Sequence, residues 1–178
     1  MRKTLLCVFI VVASLCNLLA QDKDKRGPST PEERQRAAAI AHKLEDAPLD
    51  KSLQPEREWA LRWIIEVPDV HVNICANALG EFVSKKSKYK FEGEIVSQML
   101  LSSAAFAIEH PEQASDEQAQ FFAGAQGALK AYESILKSKP DAKSKPLDAL
   151  LEQQKNGKLQ EAVQHSCSGN MQKSKIGE

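Results

Sequence analysis

The stretch that decides the fold reads SDEQAQFFAGAQGALKAYESILKSKP, residues 115–140. Its first four residues, Ser115 to Gln118, have the pattern of a capping box and predict a helix start. Apolar residues then recur every three or four positions as far as Lys139-Pro140, namely Ala119, Phe122, Ala125, Leu129, Tyr132 and Ile135. This spacing predicts a long amphipathic helix, and its small residues, Gly124 and Gly127 among them, allow another helix to approach closely.

Helical periodicity also governs the chain on both sides of this segment. Upstream it predicts helices over about 30–46, 54–67, 69–83 and 89–109, and downstream it predicts two shorter helices over about 146–155 and 158–165. The helix over 89–109 carries two adjacent apolar stripes, so we expect it to be central. No segment alternates apolar and polar residues for long enough to require a strand. We therefore predict an all-α fold of six or seven helices, arranged as an irregular bundle or as stacked helical hairpins.

The first twenty residues have the pattern of a cleaved signal peptide. Arg2 and Lys3 precede an almost continuously apolar run over 5–19, and Ala20 is a small residue before the polar Gln21. Cleavage after Ala20 is favoured over an uncleaved anchor because the run is short for a bilayer span. The predicted organisation is a signal peptide (1–20), a flexible lead-in (21–29), a single helical domain (30–167) and a flexible tail (168–178). The expected destination is the periplasm or the extracellular space, without membrane attachment after cleavage.

Charge and composition exclude some classes of partner. The chain has 24 basic and 24 acidic residues, and loss of Arg2 and Lys3 with the signal peptide would leave a net charge of −2. That balance gives no attraction to nucleic acid or to an anionic membrane. Four lysines surround Tyr89, at positions 85, 86, 88 and 90, but a single aromatic residue in a basic turn does not predict nucleic-acid binding.

Cys75 and Cys167 are the two cysteines that remain once the signal peptide is removed. A pair of cysteines in an exported protein is usually a disulfide, and we predict that these two are joined. The alternative uses His71, one helical turn before Cys75, and His165, two residues before Cys167. If the cysteines meet, those four side chains could form a metal site or a thiol–imidazole pair, although their spacing matches no familiar zinc module.

The segment ALKAYESILKSKPD, residues 128–141, resembles the second helix of a tetratricopeptide repeat. Its small residue, its aromatic residue and its terminal proline stand at compatible positions. Residues that resemble the start of a following repeat are Leu147, Leu150, Leu151, Gly157, Glu161 and Ala162. The resemblance spans residues 119–163, and it implies binding of a peptide or a protein on a concave helical surface.

No recognised catalytic set or cofactor motif emerges from the sequence, so a non-catalytic role is the leading hypothesis. We expect an exported helical protein that binds another protein or peptide, as an accessory, inhibitor or chaperone-like module. The contact is expected on the face that bears Tyr132 or in a groove between the helix over 115–140 and its successors. A metal-binding or thiol-dependent enzyme that uses His71, Cys75, His165 and Cys167 is the alternative.

Overall fold

The computed structural model describes residues 26–83 and 88–174, with side chains as far as residue 168. The predicted signal peptide, residues 21–25 of the lead-in and the last four residues of the tail lie outside these ranges. The described ranges contain six α-helices and no strand, which confirms the predicted all-α fold.

The α-helices follow the predicted order along the chain. They are α1 (Pro31–Asp46), α2 (Gln54–Glu66), α3 (Glu92–Glu109), α4 (Glu117–Ser138), α5 (Lys145–Lys155) and α6 (Leu159–Ser174). Short 3-10 segments lie at Lys51–Leu53, Ala76–Val83 and Pro111–Gln113. Helix α6 continues past the end that the sequence predicts near His165.

The N-terminal caps of α1 and α4 were both predicted from the sequence, the first at the correct residue and the second one residue too early. At α1 the Thr30 hydroxyl accepts from the Glu33 backbone N–H at 3.2 Å, and the Glu33 carboxylate accepts from the Thr30 N–H at 3.1 Å, which is the reciprocal capping box. At α4 the capping residue is Asp116 rather than Ser115, since the Asp116 carboxylate accepts from the Ala119 N–H at 3.1 Å. The prediction placed that helix start one residue too early.

The α-helix predicted over about 69–83 is absent: residues 69–75 are not helical, and Ala76–Val83 forms 3-10 turns interrupted at Leu79 and Gly80. The fully buried amide of Gln120, on α4, supplies the hydrogen bonds that a helix would otherwise provide. Its Oε1 accepts from the Asn73 N–H at 2.6 Å, and its Nε2 donates to the His71 carbonyl at 3.2 Å. Nε2 also donates to the Ala114 carbonyl at 2.6 Å, so one side chain ties the non-helical segment to the start of α4.

Two hydrophobic clusters meet at α3, which confirms the predicted central helix. One cluster joins α1 and α2 to Leu101, Ala104 and Ala105 of α3. The other joins Ile95 and Met99 of α3 to α4, α5, α6 and the 3-10 segment Ala76–Val83. Helix α3 is therefore buried on two sides, but the side against α1 and α2 is formed by Leu101, Ala104 and Ala105, which lie outside the two predicted stripes.

Helices α3 and α4 make the most extensive contact between helices in the described part of the chain. Gly124 and Gly127 face Ser103 and Ser102 of α3. A Cβ atom at Gly124 would lie 2.8 Å from the Met99 carbonyl oxygen, and one at Gly127 would overlap the Ser102 side chain. The small residues thus permit the close approach that the sequence predicts.

The described end of the lead-in is tied to the helical domain. The backbone N–H and hydroxyl of Ser29 both donate to the Asp69 carboxylate, at 2.8 and 3.0 Å. Arg34 donates to the same carboxylate at 2.7 Å. The hydrogen bond from the Ser29 backbone, helped by Arg34, lowers the pKa of Asp69 to about 2. Arg26 pairs with Glu33 at 2.6 Å.

No helix of the described ranges combines the length and the apolar character needed to cross a bilayer.

Candidate functional site

The predicted disulfide is present and joins Cys75 to Cys167. The two Cα atoms are 6.0 Å apart, and both residues are buried, at 3% and 1% exposed. Cys75 immediately precedes the 3-10 segment Ala76–Val83, and Cys167 lies in α6. The bond therefore fixes the last helix to a segment 92 residues earlier in the chain.

The structure gives no support to the alternative site built on these cysteines. Both thiols are consumed by the disulfide, and His71 and His165 are exposed. His71 belongs to the non-helical segment over residues 69–75, so the helical face that it was expected to share with Cys75 does not exist. Across the described residues, no three histidine, cysteine or carboxylate side chains are grouped so that they could hold a metal ion.

Tyr132 lies inside the core rather than on a binding face, and its side chain is 0% exposed. Its hydroxyl donates to the Asp148 carboxylate at 2.7 Å and accepts from the Ser144 backbone N–H at 2.7 Å. Burial and the hydrogen bond with Asp148 raise the pKa of Tyr132 well above its ordinary value. The predicted contact between this side chain and a partner is therefore corrected: Tyr132 fixes the connection between α4 and α5.

A surface groove of about 700 Å³ lies beside that connection, and we call it the basic groove. One wall is formed by residues 81, 82 and 88–91, which precede α3, and the other by residues 139, 141–144 and 146, around the start of α5. The second wall belongs to the connection between α4, which is the helix predicted over 115–140, and the helices that follow it. The groove thus occupies one of the two places where the sequence predicts partner contact.

Tyr89 holds the two walls together. Its hydroxyl donates to the Ala142 carbonyl at 3.0 Å, and its ring lies edge-on to the rings of Phe82, Phe91 and Tyr132, with centroids 5.5, 5.9 and 6.1 Å away. Burial raises the pKa of Tyr89 to about 12, so the hydroxyl remains a donor at neutral pH. The Tyr132 hydroxyl accepts a hydrogen bond from the Ser144 N–H and so fixes the second wall as well. The groove therefore has a preformed shape.

The lining of the basic groove combines lysines with an apolar floor. Lys88 and Lys90 extend from one wall and Lys139 and Lys143 from the other, and all four are exposed. Two carboxylates, Glu81 and Asp141, share the lining. The floor is provided by side chains that are only partly buried, namely Tyr89, Phe91, Ala142 and Pro146.

A second cleft, of about 560 Å³, lies between α1, α3 and α4 and is lined by a polar network. Glu45, which is 7% exposed, accepts from the Ser102 hydroxyl at 2.7 Å and pairs with Lys130 at 3.2 Å. His42 bridges Glu45 at 3.3 Å and Glu109 at 2.9 Å. These groups satisfy one another, so the network fastens α1 to its neighbours.

His42 is the titrating member of this network. Partial burial lowers the pKa of His42, but its hydrogen bonds to Glu109 and Glu45 outweigh that effect and raise the pKa above its ordinary value. The sequence did not indicate this cluster, because His42 and Glu109 are 67 residues apart. For the basic groove, the sequence showed the lysines beside Tyr89 at 88–90. It did not show that residues 139–146 form the opposing wall.

No family model matches this chain, and the searches of curated proteins and of solved structures found no match either.

Proposed function

We propose that this chain is an exported, non-catalytic helical protein that binds another protein or a peptide in the basic groove. The observation that carries the proposal is the groove itself: partly exposed aromatic and lysine side chains line a preformed concave surface. Peptide-binding surfaces of helical proteins commonly combine such an apolar floor with a polar rim. An accessory, inhibitor or chaperone-like role would use this surface in the same way.

Export is part of the proposal and is supported by two features. The first twenty residues have the signal-peptide pattern, and the helical domain carries a disulfide, which persists in oxidising compartments. The chain expressed with its own first twenty residues should be recovered outside the cytoplasm, beginning at Gln21. Mass spectrometry of the N-terminus would check this, and a product that retains Met1 in a membrane fraction would contradict it.

The binding surface can be tested before the partner is identified. A displayed random-peptide library is selected on the oxidised chain, and backbone hydrogen exchange is then measured with and without the selected peptide. We expect slower exchange in residues 88–91 and 139–146, the two walls of the basic groove. A library that yields no binder, or binders that protect only other faces, would refute the assignment of function to this groove.

The resemblance to tetratricopeptide repeats over residues 119–163 stays a prediction. In the structure this segment corresponds to α4, α5 and the first part of α6. The basic groove lies where α4 gives way to α5, so peptide binding there agrees with the binding mode that the resemblance implies.

A further inference from the structure

We infer that the basic groove selects an acidic segment of a partner protein, one with an apolar side chain between its carboxylates. This inference rests on the proposed function and adds the chemistry of the partner. Its starting point is local charge: the lining has four lysines and two carboxylates, whereas the whole chain has a net charge of +0. The excess of positive charge is therefore a property of this surface.

The four lysines are not neutralised by ion pairs within the described ranges. The ion pairs found there involve other basic side chains, such as Arg26, Arg34 and Lys130. Lys90 instead lies near the Phe91 ring, with its Nζ atom 5.6 Å from the ring centroid. Exposed ammonium groups on two facing walls create a positive potential between them, and that potential favours carboxylates.

The floor of the groove favours a protein segment over a sulfated polysaccharide. Tyr89, Phe91, Ala142 and Pro146 present partly exposed apolar surface between the lysine-bearing walls. Covering such surface with an apolar side chain makes binding more favourable. A sulfated sugar has no aliphatic side chain that could do the same. An acidic peptide with leucine or a similar residue at its centre satisfies both the lysines and the floor.

The test compares two charge reversals of equal size. The variant K90E/K143E changes one lysine on each wall, and the matched control K51E/K155E changes two exposed lysines outside the groove. Fluorescence anisotropy measures binding of a short labelled peptide in which glutamates flank two leucines. A second peptide has glutamine in place of every glutamate, and both are measured at about 50 and about 200 mM salt.

We expect the acidic peptide to bind more tightly than its glutamine counterpart and to lose affinity as salt rises. K90E/K143E should weaken it by about 10-fold or more, since two attractions are lost and two repulsions are gained, while K51E/K155E should change the affinity by less than about two-fold. If circular dichroism shows that K90E/K143E is misfolded, K90Q/K143Q replaces it, with a smaller loss expected.

Equal, salt-independent binding of the two peptides would overturn the acidic-segment inference, and so would equal weakening by the two variants. Heparin that binds the groove while the acidic peptide does not would also overturn it, in favour of a sulfated polysaccharide. None of these results would contradict the proposed function, which the library experiment tests separately. Peptides selected from the library that protect the groove but are neutral would defeat this inference and sustain the proposed function.

Discussion

Reduction of the disulfide between Cys75 and Cys167 should cost a large share of the protein's stability. In the chain-entropy relation, a cross-link restricts the unfolded chain according to the length of the loop that it closes. For the separation of 92 residues found here, the relation gives about 4.6 kcal/mol at 25 °C. Single domains are commonly stable by about 5–15 kcal/mol, so the reduced protein should unfold much more readily.

The assay is urea unfolding of residues 21–178, followed by circular dichroism, with and without a phosphine reductant. We expect the free energy of unfolding to fall by about 4–5 kcal/mol on reduction. C75A/C167A is the control, because the reductant should have no effect on it. Hydrogen exchange should quicken most in α6, which the bond holds in place.

Two outcomes would refute this reasoning. Free thiols in the unreduced native protein would show that the bond does not form, and intact mass before and after reduction would reveal this. A loss below about 1 kcal/mol on reduction would show that the bond adds little to contacts that already hold α6. C75S and C167S should lower stability to a similar degree, since each removes the same bond.

Three further perturbations probe contacts between the helices. Y132F removes a buried hydroxyl and leaves the Ser144 N–H unpaired, so thermal and urea unfolding should show a loss of about 1–3 kcal/mol; a loss below about 0.5 kcal/mol would contradict that role. G127A forces a Cβ atom against Ser102 and should cost about 1–3 kcal/mol in the same assay, whereas G93A, with open space around it, should cost nothing or stabilise. Because the pKa of His42 is raised on folding, its contribution to stability is complete below its unfolded pKa of about 6.5 and is lost as pH rises through the folded value. Urea unfolding between about pH 5 and 8 should show this dependence for the native chain and lose it in H42Q; an identical profile in both would refute it.

Local signals predicted most of this fold because they depend on residues close together in sequence. The α1 capping box involves residues three apart, and the two stripes of α3 repeat within single turns. Short-range rules therefore located five helices well and identified the central one. The failure at residues 69–75 has a different origin. There the apolar spacing favours a helix, but Gln120, 47 residues beyond Asn73, hydrogen-bonds the backbone in a non-helical conformation.

The candidate site was only partly predictable for the same reason. The sequence predicted the disulfide, since two cysteines in a chain with a predicted signal peptide leave a single possible pairing. It also singled out Tyr132 as an aromatic residue at helical spacing, but periodicity does not say whether a side chain faces the core or a groove. The basic groove needs Tyr89 to meet Ala142, 53 residues away, and no local pattern contains that contact.

Helix α3 contributes to both hydrophobic clusters, so a cut between α2 and α3 would disrupt the packing of α1 and α2. Fragments that end before α3 would contain α1 and α2 but lack Leu101, Ala104 and Ala105, which complete their cluster. Fragments that begin at α3 would expose that same apolar face to water. Neither fragment keeps its apolar surface buried, so truncation at the connection before α3 should yield an aggregating product rather than a smaller folded protein.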